Sequence, residues 1–302
     1  MNSQKLIQQT IGKISLPENP DEIREMAFAL LEHTTQLPRA ALLAGKEISG
    51  DSIAWLREAV ERLNRGEPVQ YITETAWYYG RKFRVTPAVL IPRPETEELI
   101  DVAKSLFPAH NPLTVLDVGT GSGCIGITLK LEMPYSQVLA MDISHDALAV
   151  ARHNAKAHQA DIVFVPCDFL NEEPDIHNLD LIISNPPYIA HHEISSIKPN
   201  VKDFEPHLAL FVPDSDPLVF YRALAKKGKH LLKHNGWIVA EIHELRGKET
   251  ASVFKAEGYE PVYIVRDLSG KDRVVISRNK QAGPLLPRKD RVTTAEQARP
   301  AG

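Results

Sequence analysis

The stretch that decides the fold is Val115–Gly126, which reads VLDVGTGSGCIG. It begins with a short apolar run, the pattern of a buried strand. It continues into a loop in which every second residue is glycine, from Gly119 to Gly123. A glycine turn between a strand and a helix lets a ligand approach the backbone closely. The stretch therefore predicts one strand–turn–helix unit of an α/β sheet, with a small molecule bound at the turn.

Strands and helices alternate around this unit from residue 113 to 278, which is typical of a parallel sheet with helices on both faces. We predict seven strands, at Leu113–Val118, Gln137–Met141, Ile162–Val165, Leu179–Ser184, Trp237–Ile242, Pro261–Val265 and Arg273–Ser277. We predict helices at Gly123–Glu132, His145–His158, Leu218–Leu232 and Arg246–Glu257. The last two strands flank a tight polar loop, so they are expected to form a terminal hairpin with one antiparallel strand.

The rest of the chain divides into three further parts. Residues 1–66 show helical periodicity, with Asp21 as a candidate cap and a second helix at Ser52–Asn64, and predict a small helical recognition domain. Residues 67–92 are rich in aromatic and β-branched residues, in Val69–Ile72 and again in Trp77–Val85, and predict a β-hairpin linker. The α/β domain is expected to span residues 93–278. Residues 279–302 are basic and proline-containing and predict a disordered tail.

Composition narrows the functional class. The 302 residues are 43% hydrophobic and 25% charged, as in an ordinary soluble globular protein. No apolar run is long enough to span a membrane, and the first residues lack the pattern of a signal peptide. Two cysteines without a CxxC motif argue against a disulfide framework or a zinc site and are compatible with the cytoplasm. A net charge of -4 counts against nucleic acid as the main partner.

Acidic residues near the glycine loop indicate which ligand it binds. Asp142 ends the next strand, 19 residues after Gly123, where an acid that holds ribose hydroxyls is expected. Gly121, Gly123 and Gly126 also match the dinucleotide pattern, so NAD remains an alternative at this point. Asp117 places a carboxylate near the loop, which suits an ammonium or sulfonium group better than a pyrophosphate. S-adenosylmethionine is therefore favoured.

The end of the third strand offers further contacts to an adenosine ligand. Asp168 could hold the adenine amine, and Phe169 could pack on the face of the base. The alternative for Asp168 is an exposed turn residue.

Ser184–Ile189, SNPPYI, follows the fourth predicted strand directly. Adjacent prolines stop the strand abruptly because they cannot donate backbone hydrogen bonds. Asn185 offers a carbonyl acceptor and an amide donor, and Tyr188 is a flat ring that could cover a planar group. The segment predicts a pocket for a planar NH₂, either on a nucleobase or on the amide of Gln or Asn.

Ile91–Glu97, IPRPETE, precedes an apolar-periodic helix. Two prolines flank Arg93 and fix its backbone. Glu95 and Glu97 fall in the first turn of the helix, where the dipole favours acids, so simple helix capping is an equal alternative for them.

These segments together resemble a known family. The glycine loop with Asp142 and the Asn-Pro-Pro-Tyr segment is similar to S-adenosylmethionine-dependent methyltransferases that act on planar amines. Ile91–Glu97 and Phe204–Leu210, FEPHLAL, resemble the HemK/PrmC-type glutamine N5-methyltransferases of peptide chain release factors. The similarity runs from about residue 20 to 278.

The resemblance implies a Rossmann-like, seven-stranded class I methyltransferase domain, an N-terminal helical domain and a hairpin linker. It implies that the glutamine of the Gly-Gly-Gln motif in class 1 release factors is methylated, by a protein that we expect to be a monomer. The implied cofactor-binding residues are Gly119, Thr120, Gly121, Ser122, Gly123, Asp142, Phe169 and Asn185. The implied substrate-binding residues are Arg93, Glu95, Glu97, Asn185, Pro186, Pro187, Tyr188 and Glu205. Phe169 departs mildly from the family, since some relatives carry Trp there.

Three other functions compete with this interpretation. A glutamine methyltransferase for a large-subunit ribosomal protein would share the glycine loop and the Asn-Pro-Pro-Tyr segment. A nucleic-acid adenine N6-methyltransferase would need a basic groove and usually a larger insert after Asn185. A cofactor-binding protein without catalysis would not need Asn185, Pro186 and Tyr188 together. We assign these three residues to catalysis and expect no metal.

Overall fold

The computed structural model describes residues 1–108, 110–279 and 292–294. The chain forms two compact units. The first consists of Met1–Ala76, Val85–Pro87 and Ile197–Glu205, and the second of Trp77–Arg84, Ala88–Ser196 and the described residues from Pro206 onward. The domain boundaries predicted after residues 66, 92 and 278 stay predictions.

The first unit is helical, as predicted. Its helices are α1 (Ser3–Ile11), α2 (Pro20–Thr35), α3 (Arg39–Leu43), α4 (Gly50–Asn64), α5 (Val69–Ile72) and α9 (Pro199–Phe204). The first five pack around a core that includes Phe28, Leu31 and Leu63. The cap of α2 is Asn19, whose side chain accepts a hydrogen bond from the Glu22 amide at 2.9 Å, rather than Asp21. The helix thus begins at Pro20, a residue favoured in the first turn.

The β-structure predicted for Val69–Ile72 is wrong, because this segment is the single helical turn α5. Tyr71 and Ile72 are both buried there. The Thr73 hydroxyl donates to the Val69 carbonyl at 2.9 Å and closes the turn. Burial against the helical core overrides the local preference of β-branched and aromatic residues for strands.

The hairpin predicted at Trp77–Val85 is present as β1 (Thr75–Tyr78) and β2 (Arg81–Arg84). Its two turn residues, Tyr79 and Gly80, have φ values of 49° and 71°. Positive φ at both central positions is the geometry of a two-residue hairpin turn that matches the twist of the strands.

The second unit is built on one large sheet. In chain order its elements are α6 (Glu98–Leu106), β3 (Thr114–Val118), α7 (Cys124–Glu132), β4 (Gln137–Asp142), α8 (His145–Ala157), β5 (Ile162–Pro166), β6 (Leu179–Ser184), β7 (Ile189–Ala190), β8 (Phe211–Val212), α10 (Val219–Leu231), β9 (Leu232–Glu241), α11 (Gly247–Ala256), β10 (Val262–Arg266), β11 (Asp272–Arg278) and β12 (Val292–Thr294). The sheet order is β12-β10-β11-β9-β6-β3-β4-β5. β7 and β8 form a separate two-stranded parallel sheet.

All seven predicted strands are confirmed, as is the terminal hairpin. Strands β5, β4, β3, β6 and β9 are mutually parallel, and β11 runs antiparallel between β9 and β10. β9 begins five residues earlier than predicted, at Leu232. An eighth strand, β12, adds to the sheet edge within the segment predicted to be disordered. The rest of that tail, residues 280–291 and 295–302, lies outside the described residues.

The sheet is buried on both faces. Along β6, Leu181 and Ile183 belong to one hydrophobic cluster, while Ile182 belongs to the other. Alternate residues of a strand point to opposite faces, so a strand buried on both sides reads as a continuous apolar run. That is why β3 and β6 are recognisable from sequence.

The chain order reverses at β3, which lies between β4 and β6. In open α/β sheets, ligands bind beyond the carboxyl ends of the strands at such a switch point. The topology thus brings the glycine loop after β3, Asp142 at the end of β4 and Asn185 after β6 to one edge.

Replacing Gly123 with alanine should lower the free energy of unfolding strongly. Gly123 has φ 81°, and a Cβ there would lie 2.8 Å from the Ile127 Cδ1 and 3.2 Å from the Ala151 Cβ. We expect a loss of about 1–2 kcal/mol for the left-handed backbone and a further loss of about 1–3 kcal/mol for overpacking. Urea denaturation measures both.

Gly121→Ala is the matched control. Gly121 also has positive φ, at 54°, but no atom lies within 4 Å of a Cβ built there. This variant should lose only the backbone contribution. Equal losses of unfolding free energy in the two variants would show that helix α7 shifts enough to accommodate the added methyl group.

Candidate active site

A cavity of about 490 Å³ opens at the carboxyl ends of β3, β4 and β6. This volume is within the range of small-molecule sites. The sequence-predicted residues on its wall are Arg93, Gly119, Thr120, Gly121, Ser122, Asp142, Asp168, Phe169, Asn185, Pro186 and Pro187. Hydrogen bonds link two pairs of residues that line the cavity: Gly121 with Asp142, and Asn185 with Thr96.

Six sequence-predicted residues do not line the cavity: Asp117, Gly123, Glu95, Glu97, Tyr188 and Glu205. Glu205 is buried and follows α9 in the first unit. Glu95 is exposed in the turn Pro94–Glu97. The Glu97 carboxylate accepts a hydrogen bond from the Tyr79 amide at 2.7 Å, which ties this turn to the hairpin.

The glycine loop leaves room for a ligand. Gly119 has φ 72°, and a side chain at Gly119 or Gly121 would project into open space. The loop is held against β4, because the Gly119 and Thr120 amides both donate to the Met141 carbonyl at 2.9 Å. The result is a rigid backbone cradle that side chains at these positions would fill.

Asp117 lies beneath the cradle instead of facing the cavity. Its carboxylate is fully buried and accepts from the Thr120 hydroxyl at 2.6 Å and from the Gly126 amide at 3.0 Å. Among the described residues, none donates to its second oxygen, Oδ1. Burial raises the pKa of Asp117 to about 7, against the opposing effect of these two hydrogen bonds. The contacts make Asp117 a clamp between the loop and helix α7.

Asp142 connects the cradle to β4. One carboxylate oxygen accepts from the Gly121 amide at 2.9 Å, and the other accepts from the Ser144 amide at 2.9 Å. Burial raises its pKa, while the backbone donors act in the opposite direction. A carboxylate has about four acceptor positions, so Asp142 keeps acceptor capacity for hydroxyl groups of a ligand.

Phe169 and Asp168 form the wall beside Asp142. The Phe169 ring is buried, and the Lys227 ammonium lies 5.4 Å from its centroid. Asp168 accepts from the Leu170 amide at 3.0 Å and from the Asn171 side chain at 2.8 Å, and the Asn171 bond lowers its pKa. Asp168 therefore has the contacts of a turn residue, although it also reaches the cavity.

Asn185 follows β6 and is half-buried on the cavity wall. Its amide nitrogen donates to the Thr96 hydroxyl at 3.1 Å. Within the described part of the chain, no hydrogen bond is made to its carbonyl oxygen. Asn185 thus keeps one acceptor oxygen for a ligand, beside the rigid Pro186-Pro187 turn.

Two residues of this region were missed in the sequence: Thr96 and Glu241. Glu241 ends β9 and is fully buried. It accepts from the Thr96 hydroxyl at 2.6 Å and from the Tyr188 hydroxyl at 3.0 Å. Burial raises its pKa, and the Thr96 bond and the nearby Arg273 oppose that shift. Thr96 lies within Ile91–Glu97, but the sequence does not distinguish it from its neighbours there. Glu241 ends a strand without the spacing from a glycine loop that marks Asp142.

Tyr188 is not among the residues that line the cavity, and its predicted role as a cover for a planar group stays a prediction. Its hydroxyl turns to Glu241, and its ring packs edge-on against His243, with centroids 6.0 Å apart.

No group of three or more potential metal ligands occurs in the described ranges. The helices there also include none long and apolar enough to cross a membrane.

Comparison with known proteins identifies the class. Residues 98–201 match the family model described as the methyltransferase small domain, and residues 12–73 match the PrmC N-terminal domain. A methyltransferase structure from Pyrococcus furiosus shares the fold, with a TM-score of 0.50 and 15% identity over 67% of this chain and 91% of that one. The second unit is a class I S-adenosylmethionine-dependent methyltransferase domain.

Sequence relatives identify the family. The release factor glutamine methyltransferase of Bacteroides thetaiotaomicron is 39% identical over 259 residues, which cover 85% of this chain and 92% of that protein. The release factor glutamine methyltransferase of Koribacter versatilis is 41% identical over 257 residues, covering 84% and 91%. The chain belongs to the family of release factor glutamine methyltransferases.

The residues present fit S-adenosylmethionine, the cofactor of this class. The open space over Gly119 and Gly121 admits a ligand close to the backbone. Asp142 retains acceptor positions for ribose hydroxyls, and the buried Phe169 ring offers an apolar surface to adenine.

Asp117 should make the stability of the ligand-free protein depend on pH. Because its folded-state pKa of about 7 lies above the ordinary value of 3.8, the folded state binds the proton more tightly than the unfolded state. Stability should therefore fall as pH rises from about 4 to 7, by up to about 4 kcal/mol. Asp117→Asn should reduce this decline between pH 5 and pH 8 in urea denaturation.

Asp161→Asn is the control, since Asp161 is exposed. This variant keeps Asp117 and should therefore keep the wild-type decline between pH 5 and pH 8. An Asp117→Asn curve parallel to the wild-type curve would show that Asp117 does not titrate in this range.

Proposed function

We propose that the protein transfers a methyl group from S-adenosylmethionine to the side-chain amide nitrogen, N5, of the glutamine in the Gly-Gly-Gln motif of class 1 peptide chain release factors. The names of its relatives support the substrate. The observation that carries the proposal is the Asn185 amide on the cavity wall, whose nitrogen is held by Thr96 and whose oxygen receives no hydrogen bond from the described residues.

The site must position a poor nucleophile, because the lone pair of an amide nitrogen is delocalised into its carbonyl. The Asn185 Oδ1 and the Pro186 carbonyl accept the two N–H groups of the substrate amide. These acceptors orient the nitrogen and stabilise the positive charge that grows on it. Alignment of this kind contributes several kcal/mol, with an upper limit of about 7–11 kcal/mol.

Bound S-adenosylmethionine supplies an electrophilic methyl group on a positively charged sulfur. Gly119 to Ser122 and Asp142 would hold it, with Gly123 shaping the turn behind them, and Phe169 and Asp168 would line the pocket for its base. No side chain is needed as a strong base, since the methylated amide is acidic enough to release its proton to water. Among the described residues, those on the cavity wall accordingly include hydrogen-bond acceptors and no histidine.

The remaining assignments follow from this reaction. Arg93 on the cavity wall contacts the substrate, and Glu95, Glu97 and Glu205 belong to segments that bind it or hold its binding surface. The helical unit recognises the release factor. The protein acts as a monomer in the cytoplasm, and its substrate is not nucleic acid.

Methyl transfer from labelled S-adenosylmethionine to a purified class 1 release factor tests the substrate. The wild-type factor should be labelled, and its Gln→Ala variant in the Gly-Gly-Gln motif should not. Label on both would place the acceptor elsewhere on the factor. If neither is labelled, a large-subunit ribosomal protein and then DNA are offered in the same assay.

Asn185→Ala should abolish methyl transfer because it removes one of the two acceptors that orient the amide. Cofactor affinity, measured by calorimetry, should change little, since the cradle and Asp142 remain. Turnover within tenfold of the wild type would refute this role for Asn185.

A further inference from the structure

Asn185 is one member of a hydrogen-bonded chain of four side chains. The Asn185 amide nitrogen donates to the Thr96 hydroxyl, the Thr96 hydroxyl donates to Glu241 Oε2, and the Tyr188 hydroxyl donates to Glu241 Oε1. The Thr96 and Tyr188 hydroxyls thus converge on Glu241, which is 2% exposed. Only Asn185 and Thr96 reach the cavity wall.

The fold brings these groups together through strand register. β6 and β9 are parallel, with Ser184 opposite Ala240, so Asn185 and Glu241 follow at the same edge of the sheet. Thr96 comes from the turn Pro94–Glu97, and this turn is held by the Tyr78 hydroxyl, which donates to the Thr96 carbonyl at 3.0 Å. Thr96 is itself buried, at 2% exposed.

The hydrogen bonds that link these four side chains have a fixed donor-to-acceptor direction. In its charged form, which the nearby Arg273 favours, Glu241 only accepts hydrogen bonds, so the Thr96 hydroxyl donates its hydrogen to Glu241. The 2.6 Å separation is in the range of a hydroxyl bonded to a charged oxygen. With its hydrogen committed, the Thr96 oxygen can only accept, and it therefore selects the nitrogen of Asn185 over its oxygen.

We propose that Glu241 and Thr96 are positioning residues that set the orientation of the Asn185 amide, so that its oxygen and not its nitrogen is presented to the substrate amide in the cavity. The catalytic role of this orientation rests on the proposed function, because only an oxygen at this position of Asn185 can accept a substrate N–H. The opposite amide orientation would present two further donors to the substrate NH₂ and repel it.

The cost of burying Glu241 supports a functional role. A buried carboxylate with only two neutral hydroxyl donors is expensive, and a neutral side chain could brace the same strands. What the carboxylate adds is an acceptor that fixes the direction in which the Thr96 hydroxyl donates its hydrogen. The Arg273 guanidinium lies close enough to favour the charged form, although it is hydrogen-bonded to Asp267 at 3.0 Å.

Thr96→Val and Thr96→Ser form the matched pair that tests this inference. Valine keeps the shape of threonine and removes the hydroxyl, whereas serine keeps the hydroxyl and removes the methyl group. Thr96→Val should lower kcat for release factor methylation about a hundredfold, comparable to the loss of one preorganised hydrogen bond in other active sites. The KM for the release factor and the Kd for S-adenosylmethionine should stay within threefold. Thr96→Ser should recover kcat to within fivefold of the wild type.

A second measurement uses the wild-type protein and does not depend on any variant being folded. Hydrogen exchange of the Asn185 side-chain amide, followed by NMR and assigned with Asn185→Ala, should show one protected N–H hydrogen. The same signal should show proximity to the Thr96 side chain. Rapid exchange of both hydrogens without contact to Thr96 would mean the reverse orientation and overturn the proposal.

The remaining outcomes separate this inference from the proposed function. A wild-type enzyme that methylates no release factor refutes the function, and the amide orientation is then decided by NMR alone. An active wild type with equal kcat in Thr96→Val and Thr96→Ser refutes the inference alone. If Thr96→Val fails to bind S-adenosylmethionine in calorimetry, it is misfolded, and the NMR result on the wild type decides.

Discussion

Two buried carboxylates hold residues of the cavity wall in place, and the geometry of the site depends on them. Asp117 on β3 joins Thr120 to Gly126 and so fixes the backbone that receives the cofactor. Glu241 on β9 joins Thr96 to Tyr188 and so fixes the residues around the acceptor. Both acids are inaccessible to solvent, and burial raises the pKa of both. Burial of each carboxylate lowers the free energy of unfolding. In return, each carboxylate fixes the direction of the hydrogen bonds around it.

The parallel sheet explains why such acids are available. Strands that run in the same direction end at one edge, and residues in matching register arrive there together. Asp142 at the end of β4 and Glu241 at the end of β9 are both products of this arrangement. The apolar interior supplies the low dielectric in which a single hydroxyl–carboxylate bond is strong enough to determine the orientation of its neighbour.

Much of this was predictable from sequence, for identifiable reasons. The strands β3 and β6 are mostly apolar because both of their faces are covered. The glycine loop, Asp142 and Asn185 were predictable because each directly follows a recognisable strand. Thr96 and Glu241 were not, since their importance arises from a contact between residues 145 positions apart. Val69–Ile72 was misassigned because its burial among helices depends on tertiary packing that its composition does not reveal.

The composition of the first unit has a consequence for how the protein can be dissected. Ile197–Glu205 belongs to that unit, although it is inserted between β7 and β8 of the second. A single cut in the chain therefore cannot separate the two units into complete parts. A fragment that starts after the hairpin would carry α9 without the helices it belongs to. Exchange of the helical unit between relatives, whether in evolution or by engineering, has to move its three chain segments together.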